Sequence, residues 1–165
     1  MLNLSTYSSR EIGDYFEEVC IVFLKNDKGF KNNIKGVTKF SNWAKSNGLS
    51  AQDTGIDLVV EDITGEFWAV QCKNFNKRKV DKSDLDSFIS TSAKIDPKTG
   101  LNIFSRRLIF TSSEWTTHAT TLIENLEPAV TRIDISRLDE SNINWESYFS
   151  ESKNKKISNS SKKNA

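Results

Sequence analysis

One histidine, His118, stands in 165 residues. With no cysteine or acid at ligand spacing from it, histidine-dependent metal chemistry is excluded, and His118 reads as a surface helix residue. Cysteine is nearly as scarce. Cys20 lies in an amphipathic stretch and Cys72 in an apolar one, so both read as core thiols rather than a bridge, and no Cys/His spacing suggests zinc. No apolar run approaches the roughly 18 residues of a membrane span, and Met1 to Thr6 lacks the basic-then-apolar order of a signal peptide. The expectation is a soluble, cytoplasmic protein without membrane contact. No internal repeat is visible, no Ser/His/Asp arrangement surrounds Ser112 and Ser113, and no Gly-x-x-x-x-Gly-Lys-Ser/Thr phosphate loop occurs.

The chain has 36% hydrophobic and 27% charged residues, enough for one globular domain with a single core. Its net charge of +1 is not that of a strongly basic nucleic-acid binder, but the charge is uneven. Five lysines against one glutamate fall between Glu151 and Ala165, leaving 18 basic and 21 acidic residues elsewhere. Residues 150–165, rich in Ser, Asn and Lys, bury too little to order and are expected to form a disordered basic linker after a domain over 1–149. Contacts to nucleic acid must come from local patches, of which Lys73, Lys77, Arg78, Lys79, Lys82 and the pair Arg106-Arg107 are candidates.

The periodicity predicts an α/β order. Ser8 or Ser9 can cap a helix whose apolar positions Ile12, Tyr15, Phe16, Val19, Val22 and Phe23 share a face, ending near Asn26 to Gly29. Gly36 to Trp43 reads as a short strand or extended segment, and Gln52 to Gly55 as loop. Ile56 to Val60 and Phe67 to Lys73 form a hairpin about Thr64-Gly65. Ser83 caps a helix through Leu85, Phe88 and Ile89; Arg107 to Thr111 is a buried strand. A helix holding Trp115, Ala119, Leu122, Ile123 and Leu126 stops at Pro128, and Val130 to Ile135 is a strand before short helical pieces anchored by Trp145. Helices should cover both faces of a central mixed sheet, giving a three-layer α/β fold. The four tryptophans read as packing rather than as base-stacking platforms.

The hairpin carries the chemistry. It sets Asp57 beside Val70 and Gln71, and strand alternation puts Gln71 and Lys73 on one face and Cys72 on the other. A carboxylate, an amide oxygen and an ammonium at a buried sheet end are paired, bound to a cation, or kept for a task. Magnesium takes carboxylate, amide and main-chain carbonyl oxygens, which suits Asp57, Gln71 and the carbonyl of Cys72. Lys73 could then hold the attacking water near a scissile phosphate and stabilise the charge developing on it. A structural Asp57–Lys73 ion pair is the alternative that spacing leaves open.

The pattern Gly55-Ile56-Asp57 followed by an apolar strand ending in Gln71-Cys72-Lys73 resembles the Mrr-like branch of the PD-(D/E)xK, or restriction-endonuclease-like, nucleases, in which Gln stands for the usual acid. Gly13-Asp14-Tyr15-Phe16-Glu17 is similar to the Gly-x-x-Phe-Glu of that branch. By that resemblance Glu17 acquires a catalytic or metal-associated role, with Glu18 as the fallback. The likeness extends through Trp43, Lys82 to Phe88, Arg106 to Thr111, Val130 to Ile133 and Asn144-Trp145 to the amino-terminal nuclease domain of type ISP restriction–modification and helicase polypeptides.

The resemblance implies a Mg2+-dependent DNA endonuclease, with Mn2+ able to substitute, acting as part of a restriction or defence system linked to a helicase or methyltransferase. Asp57, Gln71, Lys73 and Glu17 would be catalytic, with Asp57, Gln71 and the Cys72 carbonyl on the metal. Lys77, Arg78, Lys79 and Lys82 would grip double-stranded DNA without reading sequence. Gln71 adds an oxygen but no charge, so metal affinity should be weak without DNA phosphate. Cutting both strands implies a transient homodimer or repeated nicking. The competing expectations are a non-catalytic DNA-binding or assembly module, or a junction resolvase.

Overall fold

Residues 8–52, 55–75 and 77–149 are described by the computed structural model; the expected basic linker lies outside them, as do two residues of the loop before Gly55. Helix α1 (Ser9–Asn26) starts where expected, because Ser8 and Glu11 form a reciprocal capping box. Its buried side chains Phe16, Cys20, Phe23 and Leu24 recur at helical spacing, and burying an apolar side chain of this size contributes roughly 1.5–3 kcal/mol.

Strand β1 (Ile34–Lys39) runs directly into helix α2 (Phe40–Ser46). The strand reading holds through Lys39, and the extended reading is corrected from Phe40 onward. Phe40, Trp43 and Ala44 are its buried residues, an i, i+3, i+4 set hidden inside an aromatic-rich run. The hairpin follows as β2 (Leu58–Asp62) and β3 (Phe67–Lys73). Its turn is held by the buried Asp62, whose carboxylate accepts from the Thr64 hydroxyl and N–H, the Glu66 N–H and the Trp68 indole.

Helix α3 (Lys82–Ser92) is capped by Asp81 paired with Asp84, not by Ser83. Strand β4 (Phe104–Thr111) begins earlier than its apolar half suggested, since Arg107 is buried with its guanidinium on the carbonyls of Pro128 and Ile89. Helix α4 (Thr117–Ile123) is shorter than expected at both ends. Thr116 caps it, so Trp115 stays outside with its indole donating to the Thr111 hydroxyl, and Asn125 at φ 57° turns the chain away before Leu126. Strand β5 (Val130–Asp134) and helix α5 (Ile135–Asp139) complete the order, followed by a helical turn at 145–149. His118 lies exposed on α4, and Cys20 and Cys72 are free thiols.

The five strands lie in the order β1-β2-β3-β4-β5, antiparallel from β1 to β3 and parallel from β3 to β5. Side-chain alternation splits the core in two. Leu58, Val60, Trp68, Val70, Leu108 and Phe110 pack with α1 on one face; Val59, Ala69 and Ile109 pack with α2, α3 and α4 residues on the other. Trp43, Trp68 and Trp115 are buried in these layers and Trp145 packs against the α1 side, as expected of packing tryptophans. Among the described residues this is a mixed sheet between two helical layers.

Candidate active site

Because β2 runs antiparallel to β3, the residue just before β2 meets the last residues of β3. Leu58 pairs with Val70, which sets Asp57 opposite Gln71. The Asp57 main chain is pinned on both sides: its N–H donates to Val70 O at 2.9 Å, and its carbonyl accepts from the Phe40 N–H that opens α2, also at 2.9 Å. Its carboxylate accepts the Cys72 N–H at 2.7 Å, a charge-assisted bond to the strand that carries the other candidates.

Gln71 is 1% exposed, and its Oε1 is buried without a hydrogen-bond partner. An unsatisfied buried acceptor costs about 1–3 kcal/mol, so the fold tolerates this one at the sheet end. Gly55 makes the room. It has φ +74°, and a side chain there would begin 3.0 Å from the Phe88 main-chain nitrogen and 3.3 Å from Gln71 Nε2. The glycine of Gly-Ile-Asp therefore serves a left-handed backbone and a close approach to α3.

Lys73 is the last residue of β3. Its Nζ lies 5.9 Å from the centre of the Phe75 ring, and its charge helps hold Asp84 below the usual carboxylate range, behind the Arg78 hydrogen bond that is the main cause. Among the described residues no ion pair within 4.0 Å joins Asp57 and Lys73.

Glu17 reaches the same sheet end from α1. With Asp14, Asp57, Lys39, Phe40, Ser41, Ala51, Gln52 and Ile56 it lines a cleft of about 270 Å³. Glu18 is not among these walls and its side chain is 55% exposed against 21% for Glu17, so Glu17 is the one that faces Asp57's cleft. Gln71 and Lys73 are not among the lining residues either. Burial, then the neighbouring Cys20 thiol, then the negative charges of Asp57 and Glu17 push the Cys72 thiol well up. Among the described residues no three His, Cys, Asp or Glu side chains gather into a ready metal cage.

Two wall residues were missed by sequence reasoning. Asp14 stands three residues before Glu17, a helical spacing that could have flagged it. Lys39, at the β1–α2 junction, is 2.5 Å from Glu17 and 3.6 Å from Glu18, and nothing in its local sequence signals that long-range pairing.

The basic residues after β3 are mostly engaged. Arg78 clasps Asp84 with both nitrogens at 2.8 Å and stacks 3.8 Å from the centre of the Phe75 ring; Lys79 pairs with Glu114 and Lys82 with Asp86. Lys77 is exposed and in no ion pair among the described residues. The exposed Lys79–Glu114 and Lys82–Asp86 pairs are worth about 0–1 kcal/mol, whereas the Asp84 carboxylate held by Arg78 is largely buried.

Among solved structures, the ATP-dependent Type ISP restriction-modification enzyme LlaBIII bound to DNA is similar to this chain, with 28% identity and a TM-score of 0.63 over 83% of the chain. The chain spans only 8% of that enzyme's length. No curated protein matches. The Mrr_cat_2 family, described as restriction endonuclease, matches residues 25–155, which takes in Asp57, Gln71, Cys72 and Lys73 but begins after Glu17. That match runs over more than half of the chain and over both strands of the site, and the chain therefore belongs to this restriction endonuclease family.

Proposed function

We propose that this chain is a Mg2+-dependent DNA endonuclease domain of the D-QxK type, working within a longer restriction enzyme that also carries a motor and a methyltransferase. The observation that carries the reading is the buried, partnerless Oε1 of Gln71 directly across the ladder from Asp57. An orphaned acceptor across the ladder from a carboxylate is what a hard cation satisfies.

Asp57, Gln71 and the Cys72 carbonyl would hold Mg2+ or Mn2+, with Glu17 across the cleft. When bound, the ion would neutralise charge on the phosphate and make a nearby water easier to deprotonate. Lys73, on the face shared with Gln71, orients that water and stabilises the charge that develops on phosphate as the bond to the leaving oxygen breaks. Lys73 and Arg78 both lie near the Phe75 ring, so a backbone gripped by Arg78, Lys77, Lys79 and Lys82 would pass close to Lys73. These contacts address phosphate, so duplex is held without sequence choice. One such centre per chain means that breaking both strands needs a second copy or a second nick.

Plasmid nicking with Mg2+ or Mn2+ tests this. The wild-type chain should nick, and Asp57→Ala and Lys73→Ala should not. Nicking that survives both substitutions sinks the site assignment. A chain that binds duplex yet never cuts, even at high concentration, establishes the binding-module reading instead, and preference for four-way junctions establishes a resolvase.

A further inference from the structure

Among the described residues that line the acidic cleft there is one cation. Lys39 is the last residue of β1 and the residue before α2, and its side chain is a third exposed. From there the ammonium reaches Glu17 at 2.5 Å and Glu18 at 3.6 Å, in a cleft whose other charged walls are Asp14 and Asp57. The ammonium sits on a carboxylate that a cation would need.

We propose that Lys39 is a positioning residue, an internal counter-ion that holds Glu17 in the cleft and competes with the divalent ion for that carboxylate until a DNA phosphate draws the ammonium away. This rests on the metal-site reading above and extends it to the order of events. Without DNA, Lys39 occupies Glu17 and the ion is held weakly. When a phosphate enters, an acceptor with the same charge is offered to Lys39 at the cleft mouth, and Glu17 is released toward the ion. Such an exchange would couple metal affinity to substrate without moving the fold, because a lysine side chain alone changes partner.

The test is Mn2+ binding by the full chain, read from the electron paramagnetic resonance of free Mn2+, without DNA and with a short duplex. Lys39→Met should tighten Mn2+ without DNA by about three- to tenfold, the size of one pairwise coupling between neighbouring groups. It should also shrink the strengthening that duplex produces. Both effects should vanish in a Glu17→Gln background, and Lys35→Met, which removes an exposed β1 lysine paired with Glu61, should change nothing. Lys39→Gln is read in the same way if Lys39→Met does not fold. A wild-type measurement needs no substitution: the slowly exchanging ammonium resonance of Lys39 should disappear when Mg2+ saturates the chain.

Unchanged or weakened Mn2+ affinity in both Lys39 variants overturns the proposal, as does a gain that persists without the Glu17 carboxylate. If Asp57→Ala leaves wild-type Mn2+ binding intact, it is the site reading that has failed. Binding that depends on Asp57 but is indifferent to Lys39 overturns this inference alone.

Discussion

The carboxylate of Asp57 and the main-chain N–H of Cys72 are joined at 2.7 Å across the top of the hairpin. One residue thus has two duties: an acceptor that fixes the end of β3 and a charge that faces the cleft lined by Glu17. The two duties separate by substitution. Asp57→Asn retains an acceptor for Cys72 and should keep stability near wild type, whereas Asp57→Ala leaves that N–H without its acceptor and should lose about 1–3 kcal/mol in urea unfolding. Both should lose nicking by about a hundredfold or more, on the order of 2.7 kcal/mol of barrier. Nicking at the wild-type rate by Asp57→Asn would show that the negative charge is not required.

Gln71 offers the opposite trade. Its Oε1 is buried without a partner, so Gln71→Met, which fills similar space with no acceptor, should match or exceed wild-type stability by up to about 1–3 kcal/mol in the absence of metal. The same variant should lose any rise in melting temperature produced by Mn2+. Gln71→Glu should show a larger Mn2+-induced rise than wild type, since it adds the charge that Gln lacks. Thermal melts with and without Mn2+ decide the matter; an equal rise in all three chains removes Gln71 from the metal site.

Gly55→Ala should destabilise by about 1–3 kcal/mol, from a left-handed backbone and a contact of 3.0 Å with the Phe88 nitrogen that must be relieved by moving α3. The crowding also touches Gln71 Nε2 at 3.3 Å, so nicking should fall in the same variant. Equilibrium unfolding equal to wild type would contradict the packing described.

Acid stability should depend on Asp62. Burial would raise its carboxyl, but hydrogen bonds from the Thr64 hydroxyl and N–H, the Glu66 N–H and the Trp68 indole outweigh burial and leave it below the usual carboxylate value. A group lowered on folding stabilises fully above its unfolded value, about 3.9 for Asp, and this contribution is lost as pH falls through the folded value. Wild type should therefore weaken below about pH 4, and Asp62→Asn should show a shallower loss over that range. Unfolding curves between neutral and acid pH measure it, and parallel curves for the two chains would refute it.

The fold was legible wherever local pattern and tertiary packing agreed. The Ser8 and Glu11 cap with its apolar stripe announces α1, and Gly65 between two apolar runs announces β2 and β3. Where they disagreed, packing prevailed. Phe40 and Trp43 look like strand residues, but together with Ala44 they cover the α2 face of the sheet only as a helix. Arg107 reads as the charged edge of a strand, yet its guanidinium finds carbonyls from two segments and is buried.

By itself the sequence determined the hairpin, its register and hence the meeting of Asp57 with Val70 and Gln71, because strand alternation and turn position are properties of neighbouring residues. It also determined which side of β3 carries Gln71 and Lys73. Only the tertiary structure decided that Glu17 rather than Glu18 turns to the cleft, that Lys39 lies against it, that Lys73 comes near the Phe75 ring, and that Arg78 is clasped by Asp84. Most of these depend on how α1 and α3 are docked on the two faces of the sheet. Docking is set by the summed packing of two apolar layers, which no short stretch of sequence encodes.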